Sequence, residues 1–151
     1  MKLLFLLLAI AGGLMAQDQD HYVATANTTA LTLQQPAANA RQITFGSSTV
    51  AGASVYCAAA QTATISWNGT AATATAGTEK LLPGTFQASR MTVWTASNAG
   101  SGTTGPVYNV PAGSTFNIDL TWFRFGAGST AQNITIATSG TCTITFAYSA
   151  V

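Results

Sequence analysis

Apolar and polar residues alternate at every second position in several separate stretches of this chain. In residues 116–122 the apolar members of the alternation are Phe116, Ile118, Leu120 and Trp122, and Phe123 falls on the side opposite Trp122. In residues 141–148 they are Cys142, Ile144, Phe146 and Tyr148. A period of two with one polar face is typical of strands that are half covered by a core, as in antiparallel sheets.

Turn-forming residues separate these stretches at short intervals. Asn68-Gly69 is a strong hairpin signal because both residues tolerate a positive φ, and it predicts a hairpin between residues 62–67 and 70–75. Pro83-Gly84 and Ser139-Gly140 mark further turns, and no apolar stripe of helical spacing develops. We therefore predict an all-β fold, an antiparallel β-sandwich of about eight to ten short strands with Greek-key or jelly-roll-like topology.

The first sixteen residues have the layout of a secretory signal peptide. Lys2 precedes a short apolar run that ends in small residues, and polar residues follow Ala16 at once. The alternative is a retained membrane anchor, but a span needs roughly 20 apolar residues and this run is shorter. We predict cleavage near Ala16, a secreted or periplasmic location, and no membrane span in the mature form.

The remaining chain divides into an irregular segment and a regular one. Residues 17–40 lack a clear alternation and are expected to form an extended N-terminal arm or an edge strand. Residues 41–151 carry the alternating stretches and the turns, and we expect them to form the β-sandwich domain.

Charged residues make up only 6% of the chain. Once Lys2 is removed, basic and acidic residues are equal in number, so no basic patch is available to neutralise nucleic-acid phosphates. A surface with so little charge is weakly protected against self-association. The composition suits a protein that assembles or that lies in a crowded extracellular layer. The alternative is sequence drift in a secreted bacterial protein.

Cys57 and Cys142 are the only cysteines, and both share a face with apolar neighbours. An even count in a secreted chain favours a disulfide, which would close a long loop and contribute about 4 kcal/mol on the chain-entropy model. The alternative is a pair of buried free thiols. Two cysteines and one histidine do not complete the usual four-ligand zinc site, so we predict no metal.

Groups for acid–base catalysis are few. His21 is the only histidine and lies in the irregular segment, where it is more readily a solvated residue than a general base. Glu79 and Asp119 are the only carboxylates in the regular part, and nothing in the sequence pairs them as glycoside hydrolysis would require. We predict that the protein is not an enzyme and holds no cofactor.

Three tryptophans are the remaining candidates for ligand contact. In residues 91–95, Trp94 falls on the side opposite Met91 and Val93, so it faces outward if those two face the core. An exposed Trp94 would suit a sugar ring or a protein partner. The alternative is that all the aromatic residues belong to the core, which is their usual place.

From Ile43 to the C-terminus the chain resembles a group of small uncharacterised β-rich secreted bacterial proteins. The matching stretches are residues 54–57, 64–73, 96–98, 108–113, 118–120 and 133–136. They are turn and strand elements, so the resemblance implies the fold and supplies no site residues. The group often carries a second cysteine soon after the first, where this chain has Gln61, and this leaves Cys142 as the partner of Cys57.

Two functional hypotheses follow from these features. The first is a non-catalytic structural or interaction protein that self-associates at the cell surface or in the periplasm. Its support is the low charge and the scarcity of catalytic groups. The second is a stand-alone carbohydrate-binding module that uses exposed aromatic residues.

Overall fold

The structure of the protein, a computed structural model, describes residues 20–35, 43–45, 52–68, 75–76, 79–81, 92–95, 102–125 and 132–150. These residues form an all-β fold in which antiparallel strands join into one curled sheet. The strands are β1 (Asp20–Gln34), β2 (Ile43–Phe45), β3 (Gly52–Tyr56), β4 (Gln61–Trp67), β5 (Thr75–Ala76), β6 (Glu79–Leu81), β7 (Thr92–Thr95), β8 (Thr103–Val110), β9 (Thr115–Asp119), β10 (Arg124–Phe125) and β11 (Asn133–Ala150).

Two long strands, β1 and β11, form the spine of the sheet. Their antiparallel register runs from Asp20 opposite Ala150 to Gln34 opposite Asn133. The other edge of β11 is occupied in turn by β4, β3 and β2, and the other edge of β1 by β6 and β7. Because each long strand takes part in several pairings, the spine sets the order of the shorter strands.

The ladder between β1 and β11 is interrupted once, between Thr28 and Ala30. The Thr28 hydroxyl donates to the Ala30 carbonyl at 3.1 Å and accepts from the Ala30 amide at 3.3 Å. On β11 the Thr138 hydroxyl donates to the carbonyls of Gly140 at 2.8 Å and Thr29 at 3.3 Å. Side-chain hydrogen bonds thus satisfy backbone groups at the bulge, and a bulge of this kind bends a strand pair.

The bulge divides the sheet into two halves. One half contains β2, β3, β6, β9 and β10, the other contains β4, β5, β7 and β8, and both share β1 and β11.

The inward faces of both halves contribute to a single hydrophobic core. On β11 the predicted alternation is confirmed, since Ile144 and Phe146 are fully buried and the intervening Thr145 is only half-buried. Tyr22 and Tyr148, which are direct partners in the ladder, stack with 5.5 Å between ring centroids. The other large side chains that are fully buried are Leu31, Leu33, Ile65, Ile118, Leu120, Phe125, Ile134 and Ile136.

The prediction of an N-terminal arm or edge strand is wrong for β1. The strand lies inside the sheet, paired with β11 on one side and with β6 and β7 on the other. Its inward residues are Tyr22 and Ala24 before the bulge, and Leu31 and Leu33 after it. The bulge shifts the alternation by one residue, and this is why the sequence of residues 17–40 lacks a regular period.

Asn68 has the positive φ of 56° that the Asn-Gly motif predicts. The predicted hairpin with residues 70–75 is nevertheless wrong, because both edges of β4 are already occupied. Trp67 lies opposite Ile134 of β11 on one side and Thr103 of β8 on the other. β5 pairs with β7 instead.

The predicted signal peptide, residues 1–16, lies outside the described residues, as does the boundary at residues 40 and 41. Both stay predictions, and so does the sandwich packing of the two halves. Within the described ranges, no helix is long and apolar enough to cross a membrane.

The disulfide between Cys57 and Cys142 is confirmed, with both cysteines buried and the Cα atoms 4.5 Å apart. Cys142 lies on β11 just beyond the bulge, and Cys57 directly follows β3. The Cys57 carbonyl accepts a hydrogen bond of 2.8 Å from the Gly113 amide, in the connection between β8 and β9. The disulfide therefore links β11 to the connection between β3 and β4, which lies next to the connection between β8 and β9.

Replacement of both cysteines, Cys57→Ala with Cys142→Ala, should lower the free energy of unfolding by about 2–4 kcal/mol, because an 85-residue loop is no longer closed in the unfolded chain. Urea denaturation of the variant and of the oxidised wild type measures the difference. Reduced wild type is the matched control and should lose a similar amount. An unchanged denaturation midpoint in the double variant would contradict the assigned role.

Candidate functional site

A cleft of about 400 Å³ opens beside a group of aromatic rings at the end of β4. We call it the aromatic cleft, and its lining residues are Trp67, Asn68, Trp122, Phe123 and Gln132. Three segments that are distant in the sequence supply these residues: the end of β4, the turn after β9 and the residue before β11.

A tight turn after β9 places Trp122 at the surface. The Asp119 carboxylate oxygen Oδ1 accepts hydrogen bonds from the Thr121 hydroxyl at 2.7 Å and the Thr121 amide at 2.9 Å. The Phe123 amide donates to the Leu120 carbonyl at 2.9 Å and completes the turn. Asp commonly starts turns in this way, because its short side chain reaches the backbone two residues on.

The turn reverses the predicted orientation of two aromatic side chains. The alternation through residues 116–122 predicts that Trp122 faces inward and that Phe123 lies opposite, but Trp122 is 48% exposed and Phe123 only 8%. β9 ends at Asp119, so the period of two stops before Trp122. The signal that could have revealed this is the Asp119–Thr121 pair, which favours a turn at the end of a strand.

Trp122 is held in one orientation although it is exposed. Its indole Nε1–H donates to the Asp119 carbonyl oxygen at 2.9 Å. Its ring meets Trp67 with centroids 5.3 Å apart and planes at 66°, and Phe123 with centroids 5.9 Å apart and planes at 87°. Edge-to-face packing of this kind favours a fixed geometry.

Gly105 of β8 makes room for the Trp67 ring. A Cβ atom at position 105 would overlap the six-membered ring of Trp67 and would lie 3.2 Å from the Ile65 carbonyl oxygen. The pairing of β4 with β8 is irregular at this point, between Thr64 and Ser66. Glycine in a strand often marks a close approach of this kind.

Asn68 and Gln132 line the cleft with amide side chains, and hydrogen bonds hold their backbones. The Asn68 backbone N–H donates to the Asn133 carbonyl at 3.0 Å, and the Gln132 backbone carbonyl accepts from the Gln35 backbone N–H at 2.8 Å. The cleft therefore combines aromatic rings with amide groups that both donate and accept hydrogen bonds.

The Thr121 hydroxyl, and after it the Thr121 amide, lower the pKa of Asp119 below the ordinary value for aspartate. The contribution of this turn to stability is therefore present above the pKa of the unfolded state and is lost as the pH falls through the folded-state pKa. At neutral pH the Asp119 carboxylate is ionised beside Trp122.

The strands that carry Glu79 and Asp119 are not neighbours in the sheet. Glu79 lies on β6 and Asp119 on β9, at opposite sides of one half of the sheet with β1, β11 and β3 between them. His21 lies on β1 opposite Ser149 of β11. Within the described residues, no group of three His, Cys, Asp or Glu side chains could hold a metal ion.

Trp94, the predicted ligand contact, lies on β7. Its backbone pairs with Thr32 of β1 and Ala76 of β5. Its side chain lies outside the described part of the structure, so its exposure stays a prediction.

A second groove, of about 420 Å³, lies at the other end of β4. Its central polar atoms bond to one another: the Ser139 hydroxyl accepts from the Thr62 amide at 2.9 Å and donates to Gln61 Oε1 at 2.6 Å. These hydrogen bonds join β4 to β11 beside the bulge. The groove is thus a weaker candidate than the aromatic cleft.

Comparison of the chain with models of protein families, with curated proteins and with solved structures found no match in any of the three. The predicted resemblance to secreted bacterial β-rich proteins is not tested by these comparisons and stays a prediction.

Replacement of Gly105 by alanine should displace the Trp67 ring and lower the free energy of unfolding by about 1–3 kcal/mol, as overpacking does. Near-ultraviolet circular dichroism should change as well, because the contact between Trp67 and Trp122 is disturbed. Thr104→Ala, at an exposed position of the same strand, is the control and should leave both measurements close to wild type. Equal behaviour of the two variants would show that Gly105 does not position the ring.

Proposed function

We propose that the protein is a non-catalytic, secreted interaction protein and that the aromatic cleft is its carbohydrate-binding site. The observation that carries this proposal is the exposure of Trp122, whose ring is nevertheless held by a hydrogen bond and two aromatic contacts. Large aromatic side chains usually lie in the core. A rigid, exposed one at the rim of a cleft is suited to contact a ligand with little loss of side-chain entropy.

The chemistry of the cleft suits a sugar ring. A pyranose presents C–H groups on its faces and hydroxyl groups around its rim. The faces match the apolar rings of Trp67 and Trp122, and the hydroxyls match the amides of Asn68 and Gln132. Small-molecule sites commonly combine aromatic side chains with a few polar groups that fix the orientation of the ligand.

The proposed fold is a β-sandwich in which the two halves of the sheet face each other. Its support is the single core shared by both halves. Tyr108 of β8 and Phe116 of β9 also meet across the halves, with ring centroids 5.6 Å apart.

The proposed location is outside the cytoplasm, in the periplasm or the medium. The N-terminal apolar run and the buried disulfide support it, because disulfides persist in oxidising compartments. The scarcity of histidine and carboxylate groups in the sequence supports a non-catalytic role.

Binding to a panel of oligosaccharides, followed by tryptophan fluorescence and isothermal titration calorimetry, tests the function. We expect wild type to bind at least one member and Trp122→Ala to lose at least about tenfold in affinity, since the variant removes a central aromatic contact. Tyr56→Ala is the matched control because Tyr56 is also an exposed aromatic residue, at 43%, but lies outside the cleft. Absence of binding across the panel would overturn the proposal.

Self-association is the second candidate function. Val107 on β8 is 61% exposed, and among the described residues β8 pairs only with β4. An edge strand with an exposed apolar side chain is a template for pairing with another chain, and the low charge offers little repulsion. Against this, Pro106 and the irregular pairing beside Gly105 interrupt the strand, and such features blunt edges.

This second candidate predicts a mass that rises with concentration in size-exclusion chromatography with light scattering. Val107→Lys should restore the monomer because a buried lysine at the contact opposes pairing, whereas Tyr56→Ala should still associate. A monomer at every concentration would eliminate self-association and leave the binding site in the aromatic cleft as the proposal.

A further inference from the structure

We infer that the ligand of the aromatic cleft is a neutral pyranose that stacks on the ring face of Trp122, and that the turn at Asp119 positions this ring and selects against acidic sugars. This inference rests on the proposed function, because it specifies how the same cleft recognises its ligand.

The hydrogen bonds of Trp122 decide how the ring is used. An indole has a single donor, Nε1–H, and no acceptor. In this protein that donor is already bonded to the Asp119 carbonyl oxygen at 2.9 Å. A ligand therefore meets Trp122 through its π face, and hydrogen bonds to the ligand must come from other groups.

Two residues with amide side chains line the cleft beside Trp122. Asn68 is exposed and lies at the end of β4, and Gln132 is half-buried beside β11. Both amides can donate and accept, as ring hydroxyls require. A cleft of about 400 Å³ lies at the small end of the range for ligand sites, which favours a short saccharide or the end of a chain.

Charge favours a neutral sugar. The described residues that line the cleft carry no charge. The turn that holds Trp122 carries an ionised group, the Asp119 carboxylate, which accepts two hydrogen bonds from Thr121. A carboxylated sugar placed on Trp122 would meet a like charge, which weakens binding.

The same carboxylate has a positioning role. Its two hydrogen bonds hold the turn, and the turn places the Asp119 carbonyl under Nε1 of Trp122. Loss of the carboxylate oxygens would release the turn and let the indole ring change orientation. An asparagine at this position keeps the Oδ1 acceptor and removes only the charge.

The experiment measures affinity by calorimetry, with cellobiose, lactose and chitobiose as neutral probes and glucuronic acid as the acidic probe. Trp122→Phe keeps a ring face but loses the hydrogen bond to the Asp119 carbonyl, so its affinity for the neutral probe should fall about tenfold, as in Asp119→Ala, whereas Trp122→Ala should lose about a hundredfold. Equal losses in Trp122→Phe and Trp122→Ala would overturn the stacking mode.

The positioning and charge roles of Asp119 are separated by two substitutions. Asp119→Ala should weaken binding of the neutral probe about tenfold, and Asp119→Asn should restore it to within about twofold of wild type. Asp119→Asn should also bind glucuronic acid more tightly than wild type does. Thermal unfolding of both variants checks that the fold is intact.

The possible results distinguish the inference from the function on which it rests. If wild type binds none of the four probes nor any member of the oligosaccharide panel, the proposed function fails. If wild type binds a neutral probe but Asp119→Ala binds it equally well, the positioning role fails alone. If glucuronic acid binds wild type as tightly as the neutral probes do, the selection by charge fails.

Discussion

The pairing of β1 with β11 is the interaction on which the rest of the structure depends. On the inner face of this ladder Tyr22 stacks on Tyr148. Two pairs of directly opposed threonines also share hydrogen bonds between their hydroxyls: the exposed pair Thr25 and Thr145 at 2.8 Å, and the buried pair Thr32 and Thr135 at 2.7 Å. Cross-strand pairs of this kind are the unit of sheet stabilisation. Five shorter strands, β2, β3, β4, β6 and β7, then pair with the edges of the two long ones, and these edges exist only once the long strands have met.

Such a spine is built from contacts between the two ends of the chain. Asp20 lies opposite Ala150, so almost the whole described sequence separates the first pair of the ladder. Pairing between distant segments loses more loop entropy on closure than pairing between neighbours. The disulfide between Cys57 and Cys142 shortens the connection to β11 in the unfolded chain and is set at the corner of the fold. The disulfide therefore lowers part of the entropic cost that closure of the spine carries.

The aromatic cleft depends on the spine without being part of it. Trp67 ends a strand that pairs with β11, Gln132 directly precedes β11, and Trp122 follows a strand that β3 holds to β11. The three segments meet because each of them is continuous with β11 or is joined to it by strand pairing. Local chemistry then orients the rings, through the hydrogen bonds of the Asp119 turn and the space left by Gly105. A rigid scaffold that presents a site built from turns and strand ends is a common arrangement for binding.

The sequence by itself determined the all-β class, the inward residues of β11 and the pairing of the two cysteines. Those inferences need only the period of two, and a chain with two cysteines permits a single intramolecular disulfide. Tertiary structure decided the rest. The inner position of β1 was hidden because a bulge shifts its alternation by one residue, and the Asn68-Gly69 hairpin failed because β8 and β11 already occupy both edges of β4. Trp122 faces outward because a turn closed by Asp119 ends the strand before it, and which residues it meets there depends on strand pairing that no local pattern records.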